Sequence, residues 1–385
     1  MNKNYYVTLT GGKNNAGDFL IKYRAFNLFK KFRKDRAIID FNEWEPIDDE
    51  KLKIINNSKA LILLGGPGIL PHMYPNTYPL RENLNDIKVP VIMMGLGWKD
   101  PKGDWENTHN IHFDDSTKEL LNKINKSGYL SSVRDYHTLN TLQLHNYKNV
   151  LMTGCPAYYV LEKIEQSPEM LKKVKKVAFS LGVSFVLSKS MEKQMKKLIL
   201  SLKKIYTEQK SEFEVVFHHS LKEKNIQEIY GKGSLSFYKK HQEFYEWLES
   251  NDIISKDISG SADNLMAYYS QIDIHIGYRV HAHIFMNSIS KFSILISEDG
   301  RAKAVRNVIG GIVLDGYLKF KTHKLSGRLN KYFQYDRYIS NDFLNLEVLN
   351  SLEYEKKVEY NSVIKTRKQI DTNFEIMKKF IAQLP

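Results

Sequence analysis

Short apolar runs alternate with amphipathic stretches along most of the chain. Tyr5 to Thr10 predicts a strand that runs into the glycine loop Gly11 to Asp18, and Phe19 to Lys34 carries a helical stripe. Strands follow at Ala37 to Phe41, Ala60 to Leu64, Val89 to Met94, Tyr129 to Val133 and Asn149 to Thr153, with helices from Tyr136 and near Tyr158 to Ile164. The polar, basic segment Glu165 to Lys176, with Pro168, then interrupts the series and predicts a domain boundary. A second series begins at Val177 to Leu181. It continues with a helix at Ser190 to Tyr206, a strand at Phe213 to His218, helices within Lys222 to Ser250, a strand at Ile253 to Ile258 and a helix at Ala262 to Ser270. Asn341 to Leu384 predicts helices with Phe374, Ile376, Met377, Phe380 and Ile381 as an inner stripe. Nearly continuous apolar strands separated by helices predict buried parallel sheets. The expected architecture is therefore α/β: two Rossmann-like parallel-sheet domains, 1–165 and 176–330, facing across a cleft, with a helical tail over 331–385 packed back on the body.

The densest chemistry lies in Gln271 to Val305. Ile272, Ile274 and Ile276 alternate with Asp273 and His275, and Gly277 ends the strand. A helix with Val280, Phe285, Met286 and Ile289 on one face follows, then a strand at Ser293 to Ser297, the loop Glu298 to Arg301 and a further strand near Val308 to Leu314. Such a strand–helix–strand unit has parallel strands, and ligands bind outside their carboxyl ends. Tyr278, Arg279, His281, Glu298 and Arg301 gather there. Arg279 offers a forked cation for carboxylate or phosphate, a helix N-terminus adds free N–H groups, and His281 can carry a proton near neutrality. The structural alternative is a capping or packed histidine beside an Arg279 ion pair with Asp273 or Glu298. Spacing leaves two proton donors open. A helical 279–283 segment puts Arg279 and His283 on one face, whereas Arg279 and His281 converge if that segment is still turning.

The first series adds four strand ends: Gly17-Asp18, Gly65-Gly66, Gly97-Trp98 and Arg134-Asp135. Asp18 is either the helix N-cap or a substrate contact, the cap being the commoner role. The glycine loop has neither Gly-x-Gly-x-x-Gly spacing nor a Walker lysine, so it does not specify a nucleotide. His218-His219 end a strand, and one of the two can face a cleft. Trp98, Trp105, Tyr74 and Tyr78 are either a sugar-stacking surface or core.

With 385 residues and a formal net charge of +13, the chain fits two domains and an anionic partner. The basic clusters Lys30 to Arg36, Lys172 to Lys176 and Lys193 to Lys204 look like solvated helix faces, and no nucleic-acid-binding signature accompanies them, so nucleic acid is not an expected partner. Cys155 is the single cysteine, which excludes an intrachain disulfide and a paired-cysteine zinc site. No leader-like run and no stretch of about eighteen apolar residues is present, so the expected location is cytoplasmic, with at most peripheral contact at the inner membrane face.

Six short pieces occur in an order that resembles the polysaccharide pyruvyl transferase family: Asn15-Ala16-Gly17-Asp18, the run ending at Gly68, Gly95-Leu96-Gly97-Trp98, Ser132-Val133-Arg134-Asp135, Thr153-Gly154-x-Pro156-Ala157, and Gly277-Tyr278-Arg279-Val280-His281-Ala282. The resemblance spans about Asn14 to Val305. It implies a glycosyltransferase-B-like fold, the first domain on the acceptor side and the second on the donor side. It also implies transfer of a pyruvyl group from phosphoenolpyruvate to a sugar or lipid-linked oligosaccharide, forming a pyruvate ketal. By position it implies that Arg134 and Arg279 grip phosphoenolpyruvate and that His281 is the general acid. Gly17, Asp18, Gly66, Gly97, Glu298 and Arg301 are expected around the substrate, with no metal and no cofactor beyond the donor itself. The chain departs from the family pattern at Cys155, where aspartate is usual, at Pro67, and at Leu181-Gly182-Val183, where many members carry arginine. The alternatives are a nucleotide-sugar glycosyltransferase of the same build and a non-catalytic carbohydrate-binding relative.

Overall fold

The computed structural model describes residues 4–12, 15–100, 103, 110–222, 224, 235–321 and 336–385. In the first half, β1 (Tyr5–Thr10), α1 (Ala16–Phe32), β2 (Ala37–Asn42), α2 (Asp49–Asn56), β3 (Leu61–Leu64) and β4 (Val91–Met94) form a parallel sheet ordered β2-β1-β3-β4. After α3 (Asp115–Asn125), β5 (Ser131–Val133), α4 (Tyr136–Leu144) and β6 (Val150–Met152) extend it: the Gly95 N–H donates to the Ser132 carbonyl at 2.9 Å, and Leu96 bridges Val133. The ladder narrows there because serine side chains take backbone donors. Met93 N–H donates to Ser131 Oγ at 3.0 Å, and Gly95 N–H also reaches Ser132 Oγ at 2.9 Å.

The second half contains β7 (Lys176–Ser180), α5 (Lys189–Glu208), β8 (Glu212–Phe217), α6 (Leu235–Ser250), β9 (Ile254–Asp257), α7 (Ala262–Ser270), β10 (Ile274–Gly277), α8 (Val280–Ser288), β11 (Phe292–Ser297), α9 (Gly300–Ile309) and β12 (Ile312–Asp315). All six strands are parallel, in the order β12-β11-β10-β7-β8-β9. The chain starts in the middle, winds outward to β9, then returns to the other side of β7. That reversal between β7 and β10 opens a crevice at their carboxyl ends. Ile274, Ile276, Ile294 and Ile296 are fully or almost fully buried, as expected for a sheet covered on both faces.

Three stretches differ from the sequence-based expectations. The loop Glu298 to Arg301 opens the helix α9, so Val308 and Ile309 are helical and the strand begins only at Ile312, after Gly310 and Gly311. Asp299 caps this helix, and Ala302, Val305, Val308 and Ile309 form its buried stripe. Tyr158 to Ile164 is not a helix but two three-residue 3₁₀ turns at Pro156–Tyr158 and Leu161–Lys163. Residues 152–160 are all buried and leave no polar face for a helix to present to water. Within Lys222 to Ser250 the described helix is α6, and residues 223 and 225–234 lie outside the described residues.

The tail crosses back. After an antiparallel pair, β13 (Tyr317–Phe320) and β14 (Tyr338–Ser340), come α10 (Leu344–Lys357) and α11 (Asn361–Ala382). α11 lays Phe374 against Phe32 and Tyr159, with ring centroids 5.9 and 5.5 Å apart. The Tyr6 hydroxyl donates to the Pro385 oxygen at 2.7 Å and Arg33 donates to the Leu384 carbonyl, so the last turn of the chain is tied to the first domain. One apolar core joins the first half, one face of the second sheet and α11, and a second packs α5, α6 and α10 on the other face of that sheet.

Candidate active site

The crevice between β7 and β10 fixes the geometry. Arg279 follows β10 as the N-cap of α8 with extended backbone, φ −87° and ψ 110°. It is not yet helical, which is the condition for its side chain and that of His281 to converge. Beneath it runs a buried polar network. The Arg279 N–H donates to Ser180 Oγ at 3.0 Å, Ser180 Oγ meets His275 Nε2 at 2.8 Å, and His275 Nδ1 and His283 Nδ1 each lie 2.7 Å from Ser293 Oγ. His283 is wholly buried in this network, between α8 and β11, and belongs to the support of the site. Arg279 Nε donates to the Leu181 carbonyl at 2.7 Å, which aims the guanidinium along the sheet edge. Asp273 is not its partner: one carboxylate oxygen accepts the backbone N–H groups of Lys175 and Lys176.

His281 faces the other half. A Cβ on Gly17 would lie 1.9 Å from His281 Nδ1, so the ring rests against the bare backbone of the first turn of α1. Asn15, not Asp18, caps that helix, accepting the Gly17 N–H at 3.1 Å, and its amide donates to Asp18 at 2.9 Å. The N-termini of α1 and α8 thus meet across the cleft. Arg134 reaches the same space over Gly97, where a Cβ would lie 1.8 Å from Arg134 Nε, and its Nη2 donates to the Trp98 carbonyl at 3.3 Å. Burial and then the nearby Arg134, Arg301 and Arg279 push His281 down to about 3. Its Nε2 is buried without a hydrogen-bond partner among the described residues.

The remaining expected residues divide. Arg301 lines the cavity beside His281 but is paired with Asp299, its Nε and Nη2 donating at 3.0 and 2.6 Å. Glu298 also lines the cavity, yet Oε2 accepts the Val183 and Ser184 N–H groups at 2.6 and 2.9 Å. Its observed role is to tie β11 to the turn after β7, and its charge does not favour an anion. Asp18 is raised above its ordinary value by burial, against the lowering fields of Arg301, Arg134 and Lys99. Gly66 stands at φ +73° at the end of β3 with open space where a side chain would be, and its carbonyl accepts the Gly97 N–H at 2.9 Å. The proposed sugar-stacking aromatics are core: Trp98, Tyr74 and Tyr78 are buried, Trp98 stacked 5.8 Å from the His137 ring, and Trp105 lies outside the described residues. His218 lines the cavity and meets the Tyr269 hydroxyl at 2.7 Å.

Sequence reasoning missed Glu43. It directly follows β2, with Oε1 2.6 Å from where a Gly11 Cβ would be, and burial together with the negative charge of Asp18 pushes it up to about 8. A carboxylate one residue beyond a strand was the available signal.

Asn15, His218, Arg279, His281, Glu298 and Arg301 enclose a cavity of about 40 Å³. Larger grooves, of about 1000 and 870 Å³, lie at the opposite, amino-terminal ends of the second sheet near Leu171 and contain none of these side chains. The cluster at the carboxyl ends is the one with convergent charge and a buried titratable group, and it defines the candidate site.

No curated protein matches the chain. Among the solved structures that share its fold are the UDP-GlcNAc 2-epimerase from Neisseria meningitidis bound to UDP-GlcNAc and a Listeria monocytogenes protein named for the same activity. The first is 10% identical with a TM-score of 0.53, covering 97% of this chain and 98% of that one. The second is 8% identical with a TM-score of 0.52, covering 98% of this chain and 95% of that one. At such identities the likeness establishes the fold alone, two Rossmann-like domains in a glycosyltransferase-B-like arrangement. The sequence profile of one family, polysaccharide pyruvyl transferase, matches residues 15–285 and thereby spans the α1 loop, Arg134, Arg279 and His281. The chain belongs to the polysaccharide pyruvyl transferase family.

Proposed function

We propose that the protein transfers a pyruvyl group from phosphoenolpyruvate to two hydroxyls of a sugar in a cell-surface polysaccharide or its lipid-linked precursor. The observation that carries this is the convergence of Arg134 and Arg279 on His281, from opposite halves of the molecule. Phosphoenolpyruvate bears a phosphate and a carboxylate on three carbons, and two guanidinium forks with two helix N-termini match that pair of anions.

Burial and, after it, the surrounding arginines hold His281 neutral, and the arginine part of that effect is offset once the donor binds. Its negative charges offset those of the arginines, and the proton affinity of the imidazole rises. Protonated His281 then delivers its proton to the methylene carbon, leaving an oxocarbenium at the neighbouring carbon. One sugar hydroxyl adds there and returns its proton to His281. The carbon–oxygen bond to phosphate breaks, the second hydroxyl closes the ketal, and its proton leaves with inorganic phosphate. Asp18 and Glu43 stand on the acceptor side. A cavity of about 40 Å³ has room for little more than one water, so the donor enters when the halves part along the Gly17–His281 and Asp100–Gly300 contacts.

A thermal-shift titration tests the donor. Phosphoenolpyruvate at about a hundredfold over its Kd stabilises by about 2.7 kcal/mol, and the shift disappears in Arg279→Ala. A uridine diphosphate shift with none from phosphoenolpyruvate would replace this proposal with a nucleotide-sugar transferase.

A further inference from the structure

A second cationic site lies on the outer length of α1. Arg24 is 8% exposed, yet its guanidinium makes no hydrogen bond or ion pair with any described residue, and its Nε is fully buried without a partner. The Tyr23 ring lies 5.6 Å away and satisfies none of the guanidinium's N–H groups, and the Glu162 carboxylate acts on it through its field without ion-pair contact. A buried arginine is ordinarily paired, because removing a cation from water without a partner costs several kcal/mol. Here the guanidinium lines a cavity of about 370 Å³. Arg24, Asn27 and Lys31 fall at i, i+3 and i+7, on one face of the helix, and Lys34 lies in the turn that follows it. Lys30 joins them at the rim, and all three lysines are exposed and free of salt bridges among the described residues. The one acidic lining group, Glu162, is exposed and makes no ion pair with Arg24. Arg24 stands seven residues beyond Gly17, about 10 Å along the axis, so this cavity is separate from the one around His281.

We propose that this cavity binds a phosphate-bearing anion, with Arg24 as the buried fork at its floor and Lys30, Lys31 and Lys34 as the rim. A phosphate or diphosphate group supplies acceptor oxygens to a guanidinium that has none, and spreads its charge over the lysines. The ligand is either the headgroup of an anionic lipid or a free phosphate compound.

The experiment uses the full chain in the Arg279→Ala background, which blunts anion binding in the active site. Inorganic pyrophosphate raises its melting temperature, and adding Arg24→Met removes that rise, an affinity loss of roughly tenfold or more. Without ligand, Arg24→Met is at least as stable as its parent, because a buried unpaired cation has been removed; a marked fall would mean that Arg24 is structural and would overturn the site. In parallel, the chain is sedimented with vesicles of phosphatidylglycerol and phosphatidylcholine in equal parts, or of phosphatidylcholine alone. Binding to the anionic vesicles alone, reduced in Arg24→Met, identifies a lipid headgroup. A pyrophosphate response without vesicle binding identifies a free phosphate compound. The proposal fails if neither probe depends on Arg24. It fails equally if Lys30→Gln/Lys31→Gln/Lys34→Gln abolishes vesicle binding while Arg24→Met changes nothing, since the face would then be a diffuse basic surface.

Discussion

The two strand-end edges that face each other across the cleft are built in opposite ways. The second half presents Arg279 and Arg301 beside His281, held from below by the Ser180–His275–Ser293–His283 network. The first half presents Asp18 and Glu43, and a buried Tyr78 hydroxyl with no partner among the described residues. Its cations there include Arg134, which reaches the centre only because Gly97 has no side chain, and Lys99 beside Asp18. Charge is thus divided across the cleft: Arg279 and Arg301 face it from the second wall, where Glu298 and Asp299 are engaged by the Val183 and Ser184 amides and by Arg301, and two carboxyl groups raised by burial, Asp18 and Glu43, face it from the first. The means of positioning differ as well. Side chains on the second wall are fixed by hydrogen bonds, whereas the first wall makes room by leaving side chains out.

The sharpest way to break this contrast is to exchange the roles of the two histidines on α8. His281→Ala removes the group that faces Gly17, and acceptor-dependent phosphate release falls by roughly 10²- to 10⁴-fold with the melting temperature nearly unchanged. His283→Ala removes a wholly buried partner of Ser293. It lowers stability by about 1–3 kcal/mol while turnover per folded molecule persists. Steady-state rates paired with melting curves separate the two. The reverse pattern would move the proton donor to the network and dissolve the distinction between wall and support.

How much of this was legible in the sequence follows from the same contrast. Alternating isoleucines around Asp273 and His275 identify β10, and the strand–glycine–helix order places Arg279 and His281 at its carboxyl end, because local periodicity dictates local structure. Arg134, Gly17 and Gly97 were also reachable, through strand ends. What could not be read is what meets what. Nothing local says that Gly17 is bare because His281 lies on it, that Glu298 is taken by the Val183 and Ser184 amides, or that Asp299 pairs with Arg301. Those are contacts between segments distant in sequence or consequences of an unforeseen helix cap. Trp98 and Tyr78 illustrate the same limit. An aromatic beside a glycine loop has the same sequence signature whether it faces a sugar or, as here, the core.

A smaller effect is expected from the bare backbone of the first wall. In Gly17→Ala the new methyl group would overlap the His281 ring, at 1.9 Å from Nδ1, so the ring must move. A displacement of about 1 Å at a proton donor costs about 10²-fold in rate, and the loss falls on turnover. Gly66→Ala makes the complementary case. Its Cβ would meet nothing within 4 Å, but φ is +73°. The expected result is about 1 kcal/mol of lost stability from backbone strain with turnover close to wild type. Equal losses of rate in both variants would mean that the first wall is merely tightly packed, without a particular place kept for His281.

The smallest effect, and the one that reports on both walls together, is the dependence of stability on pH. Burial and neighbouring arginines hold His281 at about 3, and burial alone holds His283 at about 3, both below the ordinary 6.5. Between those values the unfolded chain binds more protons than the folded one, so stability falls as pH drops below 6.5, by at most about 1.4 kcal/mol per pH unit for each group. Glu43 behaves oppositely. Raised from 4.5 to about 8, it retains its proton in the folded chain where the unfolded chain has lost it, so stability falls as pH rises through that window. Glu43→Gln flattens the fall between about 6.5 and 8 and, because its window also covers 4.5 to 6.5 with the opposite sign, steepens the acid limb, whereas His281→Ala reduces the acid limb and leaves the alkaline one. Melting curves from pH 5 to 9 resolve both limbs. If Glu43→Gln leaves the alkaline slope unchanged, Glu43 is ionised in the folded chain, and the first wall carries two full negative charges instead of a carboxylate beside a carboxylic acid.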